Sequence, residues 1–230
     1  MKMKARDYDA WYDTDRGRWI GETEYRLLRA LLPIAPGSST LDVGCGTGWF
    51  TRHLAADGVD VTGVDVDPEA LRFARTRGDG SARYVEGDAR ALPFGTGSFD
   101  GVISITALCF VADWPRAVAE IVRVSRGRFA LGLLNRHSLL WRAKGPGGGV
   151  GAYQGAHWHT KREIADVLAT LAVKQVRYRY GVFIPSGTLV ARCTEGALPS
   201  RLPFGSFLAV GGCVDERGRS ERNATNWAGR

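Results

Sequence analysis

The chain has 230 residues, of which 44% are apolar and 24% charged, with a formal charge of +7. That length and balance suit one domain with a sizeable core, and no apolar run approaches the ~20 residues needed to span a bilayer. The positive charge comes from scattered arginines with no block of like charges, so nucleic acid is not an expected partner.

The opening residues Met1-Lys2-Met3-Lys4-Ala5-Arg6-Asp7 lead into polar and aromatic sequence, unlike the apolar stretch of a signal peptide, and a cytoplasmic location is expected. Residues 1–37 read as an N-terminal helical cap. Within it Tyr25, Leu27, Leu28, Leu31 and Leu32 form an apolar stripe at helical spacing, and Pro33, Pro36 and Gly37 stop it. An alternation then begins over residues 38–134. Strand-like runs are predicted at 40–43, 59–64, 82–85, 99–105 and 129–134. Between them the pattern predicts helices. One covers 49–56, with Phe50 and Leu54 a turn apart and Gly58 to end it. Another opens at Asp67-Pro68, a capping residue followed by proline at the first helical position. A third opens at Asp113 and carries Val118, Ile121 and Val122 on one face. Strands alternating with helices imply a doubly wound α/β fold, a mostly parallel sheet with helices on both faces.

The glycine-rich run at 144–151 interrupts this pattern, and 135–159 reads as a lid or substrate loop. Thr160-Lys161-Arg162-Glu163 has the form of a capping box and opens a helix through Ile164, Val167, Leu168 and Leu171. Two closing strands are predicted at 176–184 and 207–210, within a final part of the same domain spanning 160–214. Residues 215–230 are polar and arginine-rich, and read as a disordered tail.

The segment Leu41-Asp42-Val43-Gly44-Cys45-Gly46-Thr47-Gly48 lies between a strand and a helix. Glycines there let the backbone approach a ligand closely, and the next helix directs free amides at it. A dinucleotide site needs G-x-G-x-x-G, whereas here the third glycine would fall on the bulky Trp49. No G-x-x-x-x-G-K-[ST] loop occurs either, so a pyrophosphate is disfavoured. Asp65 ends the next strand, about 20 residues beyond the loop, where a carboxylate can accept both hydrogens of a ribose diol. Asp88, in Gly87-Asp88-Ala89 after the third strand, can accept from an adenine amine. The four cysteines, Cys45, Cys109, Cys193 and Cys213, form no C-x-x-C pair and no zinc-like grouping with histidine, so no metal is expected.

The segments LDVGCGTG, GVDVDPEAL, EGDARALPF and SFDGVISITALCF resemble the successive motifs of class I S-adenosylmethionine-dependent methyltransferases. The likeness is to the small-molecule group that includes ubiquinone and menaquinone methyltransferases (type 11), and is strongest over residues 39–134. It implies a seven-stranded Rossmann-like sheet, S-adenosylmethionine as cofactor and S-adenosylhomocysteine as product. It places Asp42, Gly44 and Gly46 along the methionine portion, with Cys45 and Gly48 in the same loop. Asp65 would hold the ribose, Val66 would pack on adenine, and Asp88, beside Ala89, would bond its amino group. Ser104 and Ile105 would border the cofactor after the fourth strand.

In similar enzymes the N-terminal segment covers the cofactor, so Arg18 is a candidate to pair with a carboxylate of cofactor or acceptor. Tyr8, Trp11, Tyr12 and Trp19 are candidates to line the acceptor, with Thr106, Asn135 and Trp158. The competing reading is a helix packed on the sheet edge with solvated arginines. His157 and His159 are candidates for a general base, although the chemistry needs chiefly alignment and exclusion of water. The Asn/Asp-Pro-Pro-aromatic motif of amino-group nucleic-acid methyltransferases is absent after the fourth strand, where Thr106-Ala107-Leu108-Cys109-Phe110 stands. Methyl transfer to a small molecule by a monomer or homodimer is therefore expected. Methylation of RNA or protein is the alternative, as is cofactor binding without catalysis.

Overall fold

A computed structural model of the chain describes residues 5–215. Two helices come first, α1 (Ala5–Asp13) and α2 (Asp15–Leu31), the second capped by the Thr14 hydroxyl, which accepts from the Gly17 amide at 3.0 Å. Then follow β1 (Ser39–Val43), α3 (Trp49–Ala56), β2 (Asp60–Asp65), α4 (Pro68–Arg77), β3 (Arg83–Glu86) and β4 (Phe99–Ile105). The second half holds α5 (Trp114–Val124), β5 (Ser125–Leu134), α6 (Leu139–Lys144), α7 (Lys161–Ala169), β6 (Val173–Gly181), α8 (Leu189–Ala197) and β7 (Phe207–Val214). The caps read from sequence are in place. The Asp67 carboxylate accepts from the Glu69 amide at 3.0 Å, Asp113 caps α5, and Thr160 and Glu163 bond each other's amides reciprocally at the start of α7.

The seven strands form one sheet in the order β3-β2-β1-β4-β5-β7-β6, parallel except for β7, which runs antiparallel to both neighbours. The core divides by strand alternation into two layers. Val102, Phe129, Leu131, Leu208 and Val210 meet Val118 and Ile121 of α5 and Ile164 and Leu168 of α7. Their neighbours Ile103, Ala130 and Ala209 point the other way, against Ile20, Leu28 and Leu31 of α2 and Phe50 and Leu54 of α3. Strand order reverses between β1 and β4, which opens a crevice at their carboxyl ends, the usual ligand position in such sheets. No helix among the described residues is long and apolar enough to cross a membrane.

Several boundaries differ from the sequence pattern, each for a physical reason. β7 continues through Gly211 and Gly212, which do not look strand-like. Cβ atoms there would lie 2.7 Å from Leu31 and 2.9 Å from Phe129, so the glycines admit α2 and β5 at close range. β6 starts at Val173 and carries a bulge where Gln175 adopts φ 55°, which hid its first residues. α8 has Ala191 as its one buried residue, so no apolar stripe announced it. The glycine-rich run forms two short 3₁₀ turns, Pro146–Gly148 and Gly151–Tyr153, after α6. Of the expected tail, the residues after Asp215 lie outside the described part of the chain.

α1 is pinned over the crevice by one charged cluster. The Asp9 carboxylate is 2% exposed and takes Arg52 of α3 at 2.9 Å and Arg77 of α4 at 3.2 Å. Replacing Asp9 by alanine should cost about 1–3 kcal/mol, because α1 loses its anchor and the two arginines lose their shared buried carboxylate, Arg52 keeping the Thr47 carbonyl and Arg77 the exposed Asp13. Urea melts would read that loss, and hydrogen exchange would show α1 amides as the first to lose protection.

Candidate functional site

The loop after β1 is shaped by short contacts. The Gly44 and Cys45 amides both donate to the Val64 carbonyl, at 2.7 and 3.1 Å, which folds the loop over the end of β2. Gly44, Gly46 and Gly48 all have positive φ, at 73°, 53° and 79°. A side chain at Gly44 would collide with the Ala107 methyl, so this residue lets β1 and the turn after β4 close together. Gly46 differs in that a Cβ there would meet nothing within 4 Å, leaving its face of the loop open to a ligand. Cys45 is buried with its Sγ over Gly63, and burial first, then Asp42 and Asp65, pushes its thiol well above the usual range. It is an inert filler.

Three carboxylates stand at successive strand ends. Asp42 is 2% exposed and accepts from the Thr51 hydroxyl at 2.6 Å. Burial pushes its pKa up to about 7; Thr51 opposes the shift and Asp65 adds to it. A buried carboxyl poised near neutrality would be stabilised by a ligand cation. Asp65 accepts from the Gly46 amide at 2.7 Å and the Asp67 amide at 2.9 Å, so it braces the loop while half-exposed. Val66 beside it is 68% exposed, an apolar shelf open to a ring. Asp88 is forked by Arg90 at 2.7 and 3.1 Å, and that bond holds its carboxyl at about 2, ionised at any working pH. Ala89 is half-buried against the main core. Ser104 and Ile105 end β4 in the same crevice, and the buried Ser104 and Thr47 hydroxyls lack protein partners. An open glycine cradle, orphaned hydroxyls, a diol acceptor and a cation acceptor fit S-adenosylmethionine in kind.

Thr106 follows β4 with φ 54°, a strained conformation for a β-branched residue and one associated with functional sites. Its amide donates to the Gly132 carbonyl at 2.7 Å, which holds the strain. Tyr8 and Tyr12 reach the same place from α1, with their hydroxyls 3.3 Å apart and Tyr8 also within reach of the Thr106 side chain. The Tyr12 ring stacks on Trp49 at 4.6 Å.

Other candidates are drawn into structural work. Trp11 and Trp19 are half-buried flanks of the core layer around α2. Arg18 is exposed and donates to the Asp13 carbonyl at 3.2 Å. The buried Asn135 side chain donates to the Pro203 and Gly205 carbonyls and accepts from the His137 amide, so its amide pins β5 to the approach to β7. Trp158 is buried, with its ring nitrogen unpaired. His159 is fully buried against Trp114, and burial, helped by His157, pushes its pKa down to about 3. A ring so hard to protonate is a poor base at neutral pH. His157 is half-exposed, with Nε2 3.6 Å from the Glu163 carboxylate. A small cleft of about 100 Å³ between Arg52, Arg75 and the turn at 78–82 lies by the start of β3, behind the glycine loop, whose Thr47 carbonyl accepts from Arg52.

Two residues at the crevice escaped the sequence reading. Tyr153, from the second 3₁₀ turn, packs on Trp158 with ring centroids 5.4 Å apart. Glu24 is 9% exposed on the inner face of α2. Its signal was legible: a glutamate in the stripe of Ile20, Gly21, Leu28 and Leu31.

Comparison with known proteins bears on the family and the fold. Residues 41–131 match a family model described as a methyltransferase domain. An uncharacterised protein of Mycobacterium tuberculosis is 34% identical over 221 residues, covering 92% of this chain and 72% of that protein. The malonyl-[acyl-carrier protein] O-methyltransferase of Pectobacterium atrosepticum is 37% identical over 112 residues, 49% of this chain. The chain spans 44% of the length of that relative. Among solved structures, a Thermotoga maritima S-adenosylmethionine-dependent methyltransferase, described as a possible histamine N-methyltransferase, superposes with a TM-score of 0.73. It is 22% identical, with 91% of this chain and 96% of that one covered, a likeness of fold. A Mesorhizobium loti S-adenosylmethionine-dependent methyltransferase gives 0.61 at 25% identity, covering 83% and 97%.

Proposed function

Because the chain belongs to the class I S-adenosylmethionine-dependent methyltransferases, we propose that it methylates a small molecule held over the carboxyl ends of β1 and β4. The observation that carries this reading is the convergence of Asp42, Asp65, Asp88 and the open Gly46 at one sheet edge, beneath α1 and α2. When bound, S-adenosylmethionine supplies a methyl group already activated on a sulfonium. The chain's own task is then to bind, orient and exclude water.

In this reading Asp65 turns its two oxygens to the ribose hydroxyls, Val66 lies under the adenine, and Asp88 with Ala89 meets the adenine edge. Asp42 faces the cationic methionine end, beside the amides of residues 44–48. Ser104 and Ile105 form the floor. Tyr8, Tyr12, Thr106 and Tyr153 bound the acceptor's side. That side is walled by phenol rings with two hydroxyls only 3.3 Å apart, which favours a small, partly apolar acceptor over a polymer.

Titration with S-adenosylhomocysteine should give saturable one-to-one binding, and a panel of small acceptors should release S-adenosylhomocysteine from S-adenosylmethionine. Folded protein that binds no S-adenosylhomocysteine at high concentration would sink the proposal. Salt-sensitive RNA binding combined with no small-molecule turnover would move the assignment to RNA.

A further inference from the structure

Three carboxylates are buried among the described residues: Asp9, Glu24 and Asp42. Asp9 holds two arginines and Asp42 holds the Thr51 hydroxyl, but Glu24 makes no hydrogen bond or ion pair with the rest of the described chain. Leaving an ionisable group buried and unmatched is costly, and natural structures retain such groups chiefly where a ligand completes them. The folding of α2 places it deliberately. A Cβ at Gly21, one turn earlier, would meet the Trp49 ring at 2.9 Å and the Tyr12 ring at 3.0 Å. The helix thus sits tight against those rings, with Glu24 one turn further along the same buried face.

The groups facing Glu24 define its setting. Tyr8 and Tyr12 of α1, Cys109 of the turn after β4 and Tyr153 of the segment before α7 are the titratable groups on which the Glu24 charge acts, each being harder to ionise for it. Arg16, the cation near this group, acts on Tyr153 and is itself tied to the Pro185 carbonyl at 2.6 Å. Among the described residues the Glu24 carboxylate thus has no counter-charge, and the phenol rings of Tyr8 and Tyr12, whose hydroxyls lie 3.3 Å apart, offer faces that attract cations.

We propose that Glu24 is the acceptor-binding carboxylate, and that the acceptor is a protonated amine on an apolar or aromatic body. This rests on the methyltransferase reading above. A carboxylate, phosphate or neutral alcohol brings no positive charge with which an ionised Glu24 could pair, so none of them offsets the cost of burying that charge. An ammonium matches it, and a site of low dielectric then favours the neutral pair, with the proton passed from nitrogen to a Glu24 oxygen. The nitrogen regains its lone pair. As the new N–C bond forms, the C–S bond breaks with its electron pair remaining on sulfur. The products are the methylated ammonium and S-adenosylhomocysteine; Glu24 keeps its proton into the next turnover, and the one proton given up overall is that released to solvent when the amine is captured. Burial raises the free carboxyl to about 8, so it is mostly protonated in the empty site at neutral pH. Capture of an ammonium at pH 7 therefore releases one proton to solvent.

The test is a panel of primary and secondary arylalkyl and alkyl amines, each paired with the alcohol and carboxylate of the same skeleton, titrated into the protein saturated with S-adenosylhomocysteine. Amines should bind and their partners should not. Titration in two buffers of different ionisation enthalpy should show close to one proton released at pH 7 and almost none at pH 9.5. Glu24→Gln should lower kcat/KM for the best amine by about a hundredfold or more and abolish the proton release. Its S-adenosylhomocysteine affinity should stay near the parent's and its melting temperature should not fall, which separates this effect from misfolding. Glu24→Asp should restore part of the activity. Failure to bind S-adenosylhomocysteine refutes the methyltransferase reading itself. S-adenosylhomocysteine binding with no amine bound, with carboxylates preferred, or with an unaffected Glu24→Gln variant overturns the assignment of Glu24 alone.

Discussion

Replacing Asp65 by alanine is expected to weaken S-adenosylhomocysteine binding by about a thousandfold while leaving the melting temperature within a few degrees of the parent. The carboxylate does two things at once. It braces the glycine loop through the Gly46 amide at 2.7 Å and the start of α4 through the Asp67 amide at 2.9 Å. In the proposed site it also accepts both ribose hydroxyls. Each hydrogen bond to a charged group is worth about 1.5–3 kcal/mol, and about 1.4 kcal/mol is a factor of ten in affinity. Loss of two such bonds therefore accounts for the expected factor. Asp65 is half-exposed, so its removal leaves no buried charge and opens little void, and the fold tolerates it. A 2′,3′-dideoxy analogue separates the two roles. It should bind wild type and Asp65→Ala with nearly equal affinity if the diol carries the effect. A variant that keeps full affinity for S-adenosylhomocysteine would remove Asp65 from the site.

How much of this was legible in the sequence depended on whether a residue's job is local. β4 was expected at 99–105 and runs Phe99–Ile105; α3 was expected at 49–56 and runs Trp49–Ala56. Both are marked by local signals, a glycine loop before α3 and an apolar, strand-like run in β4. The glycine loop and Asp65 were legible for the same reason, since spacing along the chain fixes spacing along a strand and its turn. Residues whose role comes from distant packing were harder. Gly211 and Gly212 look like strand breakers until α2 and Phe129 are seen pressing on them. Asn135 reads as a polar group at the ligand edge, yet its amide is consumed by two carbonyls near residue 204. Glu24 is the sharpest case. A glutamate in an apolar stripe is visible in one dimension, but that no cation among the described residues pairs with it is a fact of three dimensions.

The ligand-free protein should be most stable near pH 4 and lose stability from about pH 4.5 up to about pH 8, a consequence of three buried groups taken together. Glu24 is raised from 4.5 to about 8 and Asp42 from 3.8 to about 7, both first by burial. Between the two values of each group the folded chain holds a proton that the unfolded chain has lost. Stability then falls as pH rises. His159 works in the opposite sense. Burial lowers it from 6.5 to about 3, so the unfolded chain binds the extra proton and stability rises with pH up to 6.5. Below about pH 4.5 His159 offsets the carboxyls. From there to 6.5 the two carboxyls outweigh it, and between 6.5 and 7 both act unopposed, giving the steepest loss. At about 1.4 kcal/mol per unit, the net loss from pH 4.5 to 8 is on the order of 5 kcal/mol, a large share of a typical domain's 5–15 kcal/mol. Thermal melts across this range should show it, and Glu24→Gln should remove much of the slope. A ligand should reverse part of it. In the proposed site the ammonium of S-adenosylhomocysteine lies by Asp42 and lowers its pKa, so affinity increases as pH rises through 7. The melting-temperature gain from saturating S-adenosylhomocysteine should therefore be larger at pH 8 than at pH 5.5. The opposite trend would mean that Asp42 does not face the ligand's cationic end.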